Sequence, residues 1–159
     1  MGAFGYMLII EETDPLGAGP RALLEESHAL MRALFPPEEN YFLDFEALRG
    51  EDIRFFAARE AREVLGTGAL ALREGYGEVK SMFTSQAARG RGVAAAILRA
   101  IEDKARDEGV TLLRLETAAP LEDAVRLYTR AGFARCGIFG EYRPNATSLY
   151  MEKRLEPLS

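Results

Sequence analysis

Apolar positions recur along the chain with two periods, and the switches between them outline the elements. Tyr6 to Glu11 is apolar and predicts a first strand, with Asp14-Pro15-Leu16-Gly17 as the turn behind it. From Arg21 to Phe35 the apolar residues Leu23, Leu24, Leu30, Met31, Leu34 and Phe35 fall at helical spacing, and Pro36-Pro37 ends that helix. A loop then leads to a short helix around Asp44 to Leu48. Ile53 to Arg59, Val64 to Arg73 and Gly77 to Thr84 read as three strands. Their short connections make them antiparallel neighbours. Gly92 to Glu108 is helical, with Val93, Ile97, Ala100, Ile101 and Ala105 as its stripe and Gly109 as the stop. Thr111 to Thr117 is a strand, Leu121 to Ala131 a helix closed by Gly132, and Phe133 to Phe139 and Ser148 to Lys153 are the last strands. The order is β-α-α-β-β-β-α-β-α-β-β. The helix between the fourth and fifth strands acts as a crossover, so those two strands run parallel. The expectation is an α/β fold: a central mixed, mostly antiparallel sheet of six to seven strands flanked by about four helices.

Composition narrows the classes. The 159 residues suit one domain, 1–159, and 48% apolar with 28% charged residues is a globular balance. The net charge of −5 disfavours a general nucleic-acid binder. A single cysteine, Cys136, rules out an internal disulfide and a multi-cysteine metal site, and the single His28 rules out a site of several histidines. The apolar opening from Phe4 to Ile10 is too short to span a bilayer, and Tyr6 stands where a myristoylation signal needs Ser or Thr. The expectation is therefore a cytoplasmic protein with no nucleic-acid and no membrane partner.

The densest signal is Ser85-Gln86-Ala87-Ala88-Arg89-Gly90-Arg91-Gly92-Val93-Ala94, between a predicted strand and a predicted helix. A helix start carries unpaired N–H groups and partial positive charge, which a polar cap and first-turn acids ordinarily answer. Here no acid occurs from Ser85 through Ile101, although the chain has 25. Two arginines and two glycines take their place. Glycines remove the Cβ atoms that would hold a phosphate off the backbone, so the stretch reads as an anion site. It lacks the Gly-Lys-Ser/Thr of a Walker loop, and the preceding antiparallel strands exclude a dinucleotide fingerprint.

The second signal is Ala124-Val125-Arg126-Leu127-Tyr128-Thr129-Arg130-Ala131-Gly132-Phe133. By spacing alone Tyr128 is a core aromatic with its hydroxyl at the edge; a phenol there could also serve as a general acid toward a thiolate leaving group. Glu78 and Glu116, on the strands either side of the anion loop and its helix, are candidate bases. Taken singly, each reads first as a solvated strand residue or as an ion-pair partner, for example of Lys80 or Arg114. His28 reads as a surface histidine and Cys136 as a small core residue.

These residues resemble the GNAT superfamily of acyl-CoA-dependent N-acyltransferases. The superfamily's acyl-CoA motif, Gln/Arg-x-x-Gly-x-Gly/Ala, is matched by Arg89-Gly90-Arg91-Gly92-Val93-Ala94, and Ala-x-x-Leu-Tyr-x-x-x-Gly-Phe by Ala124, Leu127, Tyr128, Gly132 and Phe133. The element order agrees. The asparagine often found ahead of the tyrosine helix is replaced by Leu121, and the proline common after the fourth strand is missing.

The resemblance implies an N-acetyltransferase that moves an acetyl group from acetyl-CoA, its cosubstrate, to a primary amine of a small molecule or peptide by direct attack. The alternative in the same fold is a non-catalytic CoA-binding sensor or interaction module. It implies that amides from Arg89 through Gly90, Arg91, Gly92 and Val93 to Ala94 hold the diphosphate, and that the strand edge at Met82, Phe83 and Thr84 pairs with the pantetheine. Tyr128 would protonate the departing thiolate, and Glu78 or Glu116 would accept the amine proton. The acceptor would meet the helix bearing Ser27 and His28, the loop Pro36 to Phe42 with Glu38 and Glu39, and Tyr142. No metal is implied, and a homodimer is left open.

Overall fold

The computed structural model describes residues 7–157. The residues up to Tyr6, the first position of the expected strand, lie outside the described residues. Seven strands form one sheet in the order β1-β2-β3-β4-β5-β7-β6. They are β1 (Leu8–Glu12), β2 (Ile53–Glu60), β3 (Glu63–Arg73), β4 (Tyr76–Thr84), β5 (Leu112–Ala118), β6 (Ala134–Arg135) and β7 (Ser148–Arg154). The helices are α1 (Ala18–Leu34), α2 (Phe45–Leu48), α3 (Val93–Asp107) and α4 (Glu122–Arg130). The chain order is the expected one.

Among the described residues only β4 and β5 run parallel, and their ladder is two pairs long: Gly77 opposite Leu113 and Glu78 opposite Arg114. Beyond Glu78 the two strands part. β4 stays paired to β3 on its other side, but the register slips between Thr67 and Ala69. The slip centres on Ser81, a non-glycine residue at φ +57°, whose carbonyl accepts from Thr67 Oγ1 at 2.9 Å. This bulge bends β4 away from β5 and opens a cleft in the middle of the sheet.

The two faces of the sheet bury different sets. Val93, Ile97, Leu98, Ile101 and Ala105 of α3 pack with Leu70, Val79, Leu113, Leu115 and Met151. On the other face Leu24 of α1 and Leu48 of α2 pack with Ile53, Phe55, Ala69 and Ala71. Contact with α3 explains two glycines of β3: a Cβ on Gly66 would lie 2.7 Å from Val93 Cγ1, and one on Gly68 2.6 Å from Ile97 Cγ2.

Three expectations change. The strand over Phe133 to Phe139 shrinks to Ala134–Arg135. Cys136 N still donates to Tyr150 O at 2.8 Å, but Phe139 then turns inward to pack its ring on Tyr76, Tyr142 and Tyr150 instead of extending the ladder. Cys136 is partly exposed rather than in the core, because it follows a two-residue edge strand. His28 is buried, not a surface residue: the loop after α1 folds back so that the Phe42 ring stacks on it at 4.2 Å, with Phe45 at 5.6 Å.

Candidate active site

The start of α3 supplies the first half of the site. Gly90 and Gly92 adopt φ +81° and +79°, the left-handed region where a side chain is strained. Gly92 is the N-cap and offers no side chain, and no acid lies in the first turn. The helices α2 and α4 differ: Asp44 caps α2, accepting from Ala47 N at 2.8 Å, and Glu122 and Asp123 open α4. Among the described residues the amides of Gly90 through Ala95 find no hydrogen-bond acceptor. A run of free N–H groups at a helix start is a cradle for phosphate oxygens. The structure also adds an acid that chain distance had hidden. Glu60 at the end of β2 pairs with Arg91, while Arg89 is free of ion pairs among the described residues.

From this cradle the unpaired edge of β4 runs through Thr84, Phe83 and Met82 to the cleft. A linear amide arm can add to that edge as a strand does. Tyr128 of α4 closes the α3 side. It is 6% exposed, its ring meets Phe133 edge-on at 5.7 Å, and its hydroxyl has no partner among the described residues. Burial raises the phenol's pKa and the nearby Glu116 charge raises it further, so the proton stays on oxygen at neutral pH.

The carboxylates are drawn from β4 and β5, and their surroundings separate them. Glu78 is 3% exposed and fully engaged. Arg73 Nε donates to one oxygen at 3.3 Å; the Tyr142 hydroxyl donates to the other, which also lies 3.6 Å from Lys80 Nζ. Glu116 has one partner: Ser148 Oγ donates to Oε2 at 2.7 Å, and Oε1 has none among the described residues. The direction of that bond is set from behind. Asn145 Oδ1 accepts from Thr147 N and Ser148 N, which fixes the amide so that Nδ2 donates to Ser148 Oγ at 2.8 Å. The serine proton is thereby turned onto Glu116. Burial raises the Glu116 pKa, partly offset by the Ser148 hydrogen bond and the Lys80 charge.

Lys80 has more structural weight than its expected place as an ion-pair partner. Its ammonium donates to Tyr142 Oη at 2.8 Å and to the Tyr41 carbonyl at 2.9 Å, and burial lowers its pKa. Ser148, Asn145 and Arg73 gave no signal of their own in the sequence, since such a residue is unremarkable until its partner is known; Tyr41 lies in the loop expected to meet the acceptor. Of the acceptor-side expectations, Tyr142 reaches the cluster and Glu39 bonds Thr147 Oγ1 at 2.8 Å. Ser27 and His28 are buried beneath the loop, and Glu38 is exposed.

A mixed sheet split between its parallel pair, with a free helix start on one face and carboxylates at the split, defines a class of acyl-group transferases. The family model described as "Acetyltransferase (GNAT) family" matches residues 21–133, and the chain belongs to that family. It is 42% identical over 148 residues to the IAA acetyltransferase of Azospirillum brasilense, covering 92% of this chain and 97% of that one. A candidate acyl-CoA N-acyltransferase from Klebsiella pneumoniae superposes with a TM-score of 0.79 at 32% identity, covering 94% of this chain and 99% of the other. yncA, a candidate acetyltransferase from Salmonella typhimurium whose structure holds its cofactor acetyl-CoA, has the same fold, with a TM-score of 0.72 at 16% identity over 94% of each chain. Among the described residues no helix is long and apolar enough to cross a membrane.

Proposed function

We propose that this chain transfers an acetyl group from acetyl-CoA to a primary amine, with Glu116 as the base and Tyr128 as the acid. The observation that carries the reading is the row of free amides from Gly90 to Ala95 beside the unpaired edge of β4. The residues present fit the cosubstrate. The amides and Arg89 would hold the diphosphate, the β4 edge would pair with the amide groups of the pantetheine, and an N–H near Met82 would stabilise negative charge developing on the thioester oxygen. The cosubstrate supplies an acyl carbon activated by its bond to sulfur.

Glu116 Oε1 takes a proton from the incoming ammonium, leaving a lone pair on nitrogen. That lone pair forms the C–N bond as the C–S bond breaks. Tyr128 would donate its proton toward the departing sulfur; the second proton, shed by the nitrogen as it becomes an amide, would pass to solvent, which reprotonates Tyr128 and takes back the proton held by Glu116. Glu78 is assigned to structure: both its oxygens are spoken for, so accepting a proton would break ties to Arg73 and Tyr142. Glu116 pays no such cost. The test is thiol release over a panel of amino acids, polyamines, aminoglycosides and peptides, alongside calorimetric titration with CoA and with ATP. Tight CoA binding and amine-dependent thiol release are expected. Equal affinity for ATP, or no thiol released with any amine, overturns the reading.

A further inference from the structure

The register assigns a face to each reactant. Ala71 pairs with Glu78 and Ala69 with Lys80, and those alanines pack against α1 and α2. Directly paired residues share a face, so Glu78 and Lys80 project toward α1 and α2. Met82, past the bulge, is on the opposite face: a Cβ on Gly68 would lie 2.6 Å from Met82 Sδ and from Ile97 Cγ2. Glu116 lies two residues beyond Arg114, which pairs with Glu78, so it belongs to the same side. An amine bound for Glu116 therefore enters from the α1 side, opposite the start of α3.

That side is roofed. The loop after α1 (residues 35–44) and the loop between β6 and β7 (residues 136–147) meet across it. Thr147 Oγ1 donates to Glu39 Oε1 at 2.8 Å. The Tyr41 hydroxyl donates to the Arg143 carbonyl at 3.4 Å, and the Tyr41 ring meets the Tyr142 ring edge-on at 4.8 Å. Lys80 bolts both loops from below through the Tyr41 carbonyl and the Tyr142 hydroxyl, and its side chain is 9% exposed. Each tie joins residues from different loops or from a loop and the sheet. A bound peptide needs an open channel for the chain behind its first residue, at about 3.3 Å per residue. These ties hold the two loops together over that side of the sheet and leave no such opening among their contacts.

We infer that the acceptor is a small amine enclosed whole beneath the two loops, and not the amino terminus of a protein or long peptide. Glu39, Tyr41, Lys80 and Thr147 set that limit. The inference rests on the acetyl-transfer reading and names its substrate class.

The experiment uses the wild-type chain with acetyl-CoA and follows thiol release for two matched pools. One pool holds free amino acids and other small primary amines; the other holds hexapeptides beginning with the same amino acids. The best small amine should exceed the best peptide in kcat/KM by at least about tenfold. In Glu39→Ala/Tyr41→Ala, peptide turnover should rise while CoA affinity holds. A wild-type chain that binds CoA and uses peptides within about tenfold of small amines overturns this inference and leaves the transfer reading intact. A chain that binds no CoA overturns both. The wild-type comparison decides even where the variant does not fold.

Discussion

The start of α3 and the side-chain cluster beneath the two loops are built in opposite ways. The first is built from consecutive residues, and its binding groups are backbone amides. What matters there is what is missing: side chains at Gly90 and Gly92, a cap, and first-turn acids. The second is built from side chains of Tyr41, Glu78, Lys80, Glu116, Tyr142 and Ser148, spread over a hundred positions. Every one depends on its neighbours' placement. Backbone amides need only a few glycines and a missing cap to be left free, whereas a cluster of distant side chains needs every loop in place.

If the two regions act separately, damage to one should spare the other. The largest effect is expected from Tyr128→Phe, which removes the proposed proton donor and should cut turnover by about 10²- to 10⁴-fold while CoA affinity, read by calorimetry, stays unchanged. Retained turnover would remove Tyr128 from the chemistry. Next is Glu116→Gln, expected to lower kcat by about 10²-fold, with Glu78→Gln costing stability more than chemistry. A larger kinetic loss for Glu78→Gln at unchanged melting temperature would reverse the assignment of the two carboxylates.

The pH profile sharpens the same point. As the proposed base Glu116 would have to be ionised, and burial holds its pKa above the ordinary 4.5. The acid limb of kcat/KM should therefore lie at higher pH than a solvated glutamate would give. The Ser148 hydrogen bond favours the ionised form. Ser148→Ala should move the limb to still higher pH, and an unmoved limb would show that another group controls it.

Gly92→Asp attacks the other region. Its φ of +79° strains any side chain, at about 1–2 kcal/mol, and its carboxylate would face the diphosphate. CoA affinity should fall by tenfold or more, and any loss of turnover should recover at saturating cosubstrate. The smallest effect is expected from Glu60→Gln. It frees Arg91 from a partly exposed pair worth about 0.2–1 kcal/mol and should strengthen CoA binding by no more than about fivefold. Weaker binding would mean that Glu60 holds Arg91 in its working position.

The legibility of the fold differs by element. The helices and the β2–β3–β4 meander showed in the sequence because each carries its own period and its own stop, such as Pro36 and Gly109. The span from Phe133 to Phe139 has strand-forming composition, but pairing to β7 ends after Arg135 because burying the Phe139 ring outweighs further ladder bonds. His28 misled because helical periodicity measures a face toward the sheet, whereas its cover is the Phe42 ring from a loop.

The sequence by itself determined the order of elements, the parallel crossover between β4 and β5, and the uncapped, glycine-lined start of α3. Those follow from local sterics and from the presence or absence of charge within one stretch. Only the tertiary structure decided that Glu60 answers Arg91, that Glu78 is saturated while Glu116 keeps a free oxygen, and that Lys80 ties two loops over the cleft. Those are properties of distance between residues far apart in the chain, and hydrogen-bond and Coulomb energies fall too steeply with distance to be read before the chain is folded.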